Sequence, residues 1–279
     1  HANIVPWQML CERTGAVLRV APIDLRGELD VAAFEALLGP RTKLVAFTQI
    51  SNSLGTVLPV ERLLAAAKRV GALTLIDGAQ AVAHQRIDVR ALDCDFYVFS
   101  AHKLYGPTGI GALWAKGEIL AAMPPWHGGG AMIDRVTFEK TTYAPPPARF
   151  EAGTPAIVEA VGLGAAIDYV NSIGKERIAA HEHDLLTYAE GRLREINSLR
   201  IIGAPKLVRW LIAKLISRRR APVAAEMVAA LTVRIVPPMA PDVLKLPAET
   251  FSVTLAEDAI DAPPLTVIAL PAVMSMLPD

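Results

Sequence analysis

Ser100-Ala101-His102-Lys103-Leu104-Tyr105-Gly106-Pro107-Thr108-Gly109-Ile110-Gly111 follows directly on the apolar run Phe96-Tyr97-Val98-Phe99. Four consecutive apolar and aromatic residues ahead of a glycine-rich turn read as a buried strand with its end at Ser100. Lys103 therefore sits just past a strand end, where partial burial disfavours the ammonium and makes a nucleophilic amine accessible. Working upstream, Leu73-Thr74-Leu75-Ile76-Asp77-Gly78-Ala79-Gln80 reads as a second strand ending in a carboxylate. An acid at one strand end and a lysine at the next suits pyridoxal phosphate (PLP), whose aldehyde needs an amine and whose ring nitrogen needs an anion. Ser100 and His102 beside the lysine are donors suited to a phosphate, and Gln80 lies within reach of a ring substituent.

Alternation extends outward from these two strands. Ile4 to Arg13 reads as a helix, Val17–Ala21 as a strand and Val31–Leu38 as a helix capped by Asp30. Lys43–Ile50 reads as a strand, and Val60–Val70 as a helix that starts after Pro59 and stops at Gly71. A strand over Ile110–Trp114 follows the lysine turn. Apolar strands separated by amphipathic helices predict an α/β fold, a mostly parallel sheet with helices on both faces. Residues 116–155 are loop-rich, with Pro124-Pro125, Gly128-Gly129-Gly130 and Pro145-Pro146-Pro147. Helices are expected over Ala156–Ser172 and Lys175–Asn197, joined at Gly174, and then a strand over Leu199–Ile202.

Composition narrows the function classes. The 279 residues are 52% hydrophobic and 20% charged, and 28 basic residues balance 28 acidic ones. That balance gives no global attraction to nucleic acid, and no apolar run is long enough to predict a membrane span. Cys11 and Cys94 are far apart and suggest a reducing, cytoplasmic setting rather than a disulfide framework. Gly106–Gly111 superficially looks like a dinucleotide loop, but it leads into a strand and not a helix. His181-Glu182-His183 reads as a solvated helix surface, because positions two apart do not share a helix face. Trp126-His127 reads as a loop approaching the site or a partner subunit.

Several motifs together resemble one family. Asp77-Gly78-Ala79-Gln80, Asp93-Cys94-Asp95-Phe96, the lysine segment and Arg149-Phe150-Glu151-Ala152-Gly153-Thr154-Pro155 are similar to those of the group II cysteine desulfurases and selenocysteine lyases. These belong to the class V aminotransferase superfamily of fold type I. His1-Ala2-Asn3-Ile4-Val5-Pro6-Trp7 and Ser51-Asn52-Ser53-Leu54-Gly55 match too, and the similarity runs to about residue 203. It implies a Schiff-base role for Lys103, a partner for the pyridine nitrogen in Asp77 and a contact to the phenolic oxygen from Gln80. Ser100 and His102 would hold the phosphate, Thr154 would reach the phosphate of the neighbouring subunit in a homodimer, and Asn52 would position the substrate carboxylate. The implied reaction takes L-cysteine, or L-selenocysteine, to L-alanine and passes sulfur through an enzyme persulfide to an acceptor protein for iron–sulfur cluster assembly.

The family pattern also sets expectations where this chain departs from it. Residues 204–279 contain no Gly, Asn, Gln, His, Tyr or Cys but ten prolines. We expect a large PLP-binding domain over 1–172, a helix and first strand entering a partial small domain over 173–203, and a divergent tail over 204–279. The composition break suggests a change of reading frame near Ala204–Lys206, with a basic amphipathic helix over Leu207–Arg220 as the one element the tail offers. His1 reads as the neighbour of a ring-stacking histidine, which implies an N-terminal truncation. Without a nucleophilic cysteine in the tail, and with Cys94 between two carboxylates, activity is expected to be impaired. Two alternatives stand beside a desulfurase: another class V aminotransferase or lyase, and a non-catalytic fragment that only dimerises or binds an acceptor.

Overall fold

The computed structural model describes residues 3–197, 199–201 and 215–217. Its centre is a four-stranded sheet in the order β1 (Leu44–Thr48), β2 (Leu73–Asp77), β3 (Phe96–Ser100), β4 (Gly111–Ala115). The first three strands are parallel and β4 runs antiparallel to β3, so the sheet is mixed, with parallel strands in the majority. The reason is the short link. Residues 101–110 hold only a 3-10 turn and a short loop, whereas a parallel return needs a crossover of a dozen residues or more.

Helices cover both faces. Alternation along the strands sends Val45, Phe47, Ile76, Tyr97 and Phe99 toward α2 (Val31–Leu37), α3 (Val60–Arg69), α4 (Ala81–His84) and α7 (Ile157–Ile173). Leu44, Ala46, Leu73, Leu75, Phe96 and Val98 face the other way, against Trp7 of α1 (Ile4–Thr14) and Ile119 and Leu120 of α6 (Gly117–Ala122). Local chemistry sets the helix ends. Asp30 accepts a hydrogen bond from the Ala33 amide (2.9 Å), and Asp88 accepts from Arg90 and Ala91 to start α5 (Val89–Leu92). Gly71 and Gly174, both at positive φ, follow α3 and separate α7 from α8 (Lys175–Arg194).

Three local expectations change. Val17–Ala21 forms no strand; Val17 is 79% exposed and no neighbouring strand in the described residues pairs with it, so its β-propensity goes unused. The loop-rich region holds a hairpin, β5 (Ile133–Val136) and β6 (Thr141–Tyr143), closed by Thr137, whose hydroxyl accepts from the Glu139 and Lys140 amides. β7 (Leu199–Ile201) pairs antiparallel with β8 (Leu215–Ser217), which places strand where the tail helix was expected to end. The rest of Leu207–Arg220, like His1, lies outside the described residues. Among the described residues no helix is long and apolar enough to cross a membrane.

One polar lock is buried inside this frame. The Thr74 amide and hydroxyl both donate to Asp95 Oδ2 (2.8 and 3.0 Å), and the Asp95 amide donates back to Thr74 Oγ1 (3.0 Å). Lys116, just past β4, binds Asp95 Oδ1 at 2.9 Å. Thr74 is fully buried, so removing its acceptor leaves a donor with no water to turn to. Asp95→Ala is expected to cost about 1–3 kcal/mol of stability, read as a lower urea midpoint at unchanged slope. A midpoint equal to wild type would show that the lock contributes nothing.

Candidate active site

Parallel strands bring their carboxyl ends, and the loops that follow them, to one edge. Ser51-Asn52 follows β1, Gln80 follows β2, and Ser100 ends β3 with His102 and Lys103 just beyond it. Register places Asp77 opposite Val98, two residues before Ser100. The structure thus brings Asn52, Asp77, Gln80, Ser100, His102 and Lys103 to the same sheet edge. Thr154 is exposed on the loop entering α7, and among the described residues no hydrogen bond joins it to that group.

The lysine is held by its turn. Ala101–Leu104 is a single 3-10 turn with Ala101 and Leu104 buried, which leaves His102 exposed and Lys103 half-buried. Tyr105 then adopts positive φ, and the Gly106 amide closes onto the Ala101 carbonyl at 3.0 Å. Leu163 of α7 packs against this turn close to Gly106, and Pro107 packs against Gly162. Among the described residues the Lys103 ammonium makes no ion pair or hydrogen bond, and the side chains of Gln80, Ser100 and His102 likewise engage no partner. A half-buried lysine beside the donors of Ser100, His102 and Gln80 is a set that suits an anionic ligand.

Asp77 is more constrained. Its Oδ1 accepts from the Ala79 amide (3.0 Å), and its Oδ2 accepts from Asn3 Nδ2 (2.6 Å). Asn3 Oδ1 in turn accepts from the Trp7 indole (2.9 Å). The turn after Asp77 is pressed against β3: a Cβ on Gly78 would stand 2.0 Å from the Tyr97 hydroxyl, so only glycine fits. Tyr97 donates to Gln49 Oε1 (2.8 Å), and Gln49 Nε2 donates to Gln85 (2.8 Å), tying β1, β3 and α4 beneath the site. Burial pushes the Tyr97 hydroxyl far above its usual range, so it stays a donor. Asn52 sits in a turn stabilised by Ser51 Oγ, which accepts from the Ser53 and Leu54 amides.

Several roles were not legible in the sequence. Arg149, quoted only as part of a motif, donates to the carbonyls of Ala121, Met123 and Ala144 at 3.0–3.1 Å, and Gly153 donates to Gly130 at 2.8 Å. Together they set the loop that carries Thr154. Glu182 is half-buried and bound to His84 Nδ1 at 2.8 Å, so it joins α8 to α4 and is not a solvated residue between two histidines. Trp126 lies edge-on to His127 with Arg13 of α1 over its ring, which anchors that loop to α1. Cys94 is fully buried, and its thiol is pushed up to about 11. Burial is the main cause, with Asp95 and Asp93 adding to it and Lys116 opposing, so the flanking carboxylates named by the sequence are the lesser effect.

The chain's relatives fit this geometry. The profile of the class-V aminotransferases matches residues 1–214. A cysteine desulfurase of Dickeya dadantii is 58% identical over 204 residues, 73% of this chain and 50% of its own length. The solved apo cysteine desulfurase of Thermococcus onnurineus superposes with a TM-score of 0.76 at 34% identity, covering 82% of this chain and 57% of that one. A crystal structure of an Escherichia coli cysteine desulfurase gives 0.71 at 38% identity, over 76% and 52%. The chain spans about half the length of these relatives. With the strand-edge lysine, its neighbouring carboxylate and this match in hand, the chain belongs to the class V aminotransferase family, as a homologue of the cysteine desulfurases.

Proposed function

We propose that this chain binds PLP at the carboxyl edge of β1–β3 and serves cysteine desulfurase chemistry on L-cysteine. The observation that carries the proposal is the half-buried Lys103, without a partner among the described residues, one strand away from a carboxylate already fixed at both oxygens. The family is PLP-dependent, and the donors present fit the group. Bound there, PLP supplies an electron sink for bonds at the substrate's α-carbon. Lys103 would hold its aldehyde end and move protons to and from the substrate. Asp77 would face the ring nitrogen, Gln80 would donate to the ring oxygen, and Ser100 and His102 would hold the phosphate. Asn52 takes the substrate carboxylate.

Desulfuration also needs a thiolate. Its sulfur attacks the sulfur of L-cysteine, the carbon–sulfur bond breaks, and its electron pair stays with carbon, which gains a proton to give L-alanine. The extra sulfur remains on the protein as a persulfide. Cys94 is unsuited to this: it is buried and protonated near neutral pH. That favours a second reading, a chain that binds the cofactor without completing sulfur transfer. The exposed apolar positions of α7 (Ile157, Val158 and Val161 at 60–79% exposure), next to the exposed Thr154, support a homodimer in which Thr154 reaches the partner's phosphate.

Four measurements test these readings. After incubation with PLP and borohydride reduction, peptide mass spectrometry should find a pyridoxyl adduct on Lys103 and none in Lys103→Ala. No adduct, or one on another lysine, would sink the assignment. Alanine and sulfide formed from L-cysteine would support desulfuration, keto-acid formation a different reaction of the family, and an adduct with neither the second reading. At pH 8 a small alkylating agent should modify Cys11 in the native protein and reach Cys94 only in denaturant or as the pH approaches about 11; rapid native labelling of Cys94 would refute its burial. Val158→Glu with Val161→Glu should turn a sedimenting dimer into monomer, and an unchanged dimer would place the interface elsewhere.

A further inference from the structure

Asparagine at the N-terminal end of a helix ordinarily spends its side chain on the helix's own amides. Asn3 precedes α1 but makes no such cap. Both ends of its amide are used sideways instead, one on Trp7 and one on Asp77. The orientation follows from chemistry, because an indole nitrogen can only donate. Trp7 therefore fixes Oδ1 as its acceptor and leaves Nδ2 to face the carboxylate. The contact to Asp77 is short, at 2.6 Å.

The rest of the fold holds this arrangement in place. Asp77 shares the sheet face of Leu73 and Leu75, and that face is covered by α1 through Trp7. Ala79 holds Oδ1 and Asn3 holds Oδ2, so the plane of the carboxylate is set from both sides. An ionised carboxylate has about four acceptor positions; these two bonds leave capacity for a third donor.

We infer that Asn3 is a positioning residue that aims the Asp77 carboxylate at the ring nitrogen of bound PLP, with Trp7 fixing which end of the Asn3 amide does so. The inference rests on the cofactor reading above. Asn3→Ala removes the aim, and Asn3→Asp sets a second carboxylate against the first without changing side-chain size. Trp7→Phe keeps an aromatic ring in the core but frees the amide to turn.

The experiment is a PLP titration of wild type and the three variants, followed by the pH midpoint of the visible cofactor band, with urea midpoints as the control for folding. A carboxylate no longer aimed at the ring nitrogen holds it less well, so Asn3→Ala should weaken PLP on the order of tenfold. Its band midpoint should move, Asn3→Asp should do worse, and Trp7→Phe should fall between wild type and Asn3→Ala. Where Asn3→Ala does not fold, Asn3→Asp and Trp7→Phe carry the test. Folded variants whose PLP affinity and band midpoint match wild type, while wild type still forms the Lys103 adduct, overturn the role of Asn3. A wild type that forms no Lys103 adduct overturns the cofactor reading and this inference with it.

Discussion

Parallel strands have no tight turn to fix their register, and β2 and β3 are separated by the two short helices between Gly78 and Asp95. The reciprocal bonds between Thr74 and Asp95 supply that register from inside the sheet. They set Leu75 against Phe96 and thereby Asp77 against Val98. A slip of one residue would reverse the faces of β3, turning Phe96 and Val98 away from α1 and carrying Lys103 with them. Lys116 extends the lock to the end of β4, so one carboxylate coordinates three strands. The placement of the lysine relative to the acid depends on this buried interaction.

The sequence made the framework readable because β1, β2 and β3 are apolar runs bounded by turn residues. α2 and α3 carry clear end signals in Asp30, Pro59 and Gly71. Asp77, Gln80, Ser100, His102 and Lys103 could be singled out for the same reason, since each closes or closely follows a recognisable strand, whereas Asn52 and Thr154 came from the family resemblance. What stayed hidden depends on contacts distant in sequence. Nothing local in Asn3 announces Asp77, 74 positions away, and nothing in Arg149 announces carbonyls near residue 122. β4 was found but not its direction, which follows from loop length more than from pattern. Val17–Ala21 failed for the opposite reason, since propensity without a neighbouring strand yields no ladder.

Asp93-Cys94-Asp95 shows how one short motif divides its work. Asp95 turns inward to the lock, while Asp93 is exposed, ends α5 in a left-handed conformation and pairs with Lys68 and Lys116. Those pairs hold the Asp93 carboxyl down at about 2. Cys94 between them packs into the core beside Ile76 and Tyr97. The segment is a clasp between sheet and helices, and its thiol is there as a small apolar filler.

The contact between Gly78 and the Tyr97 ring makes those two positions inseparable. A larger residue at 78 has room only if 97 shrinks, and a smaller residue at 97 strands the Gln49 amide and loosens its hold on Gln85. Variation can therefore enter this corner only as a coordinated set spanning β1, β2, β3 and α4. The floor of the candidate site is in that sense a single packed unit, assembled from four separate segments of the chain.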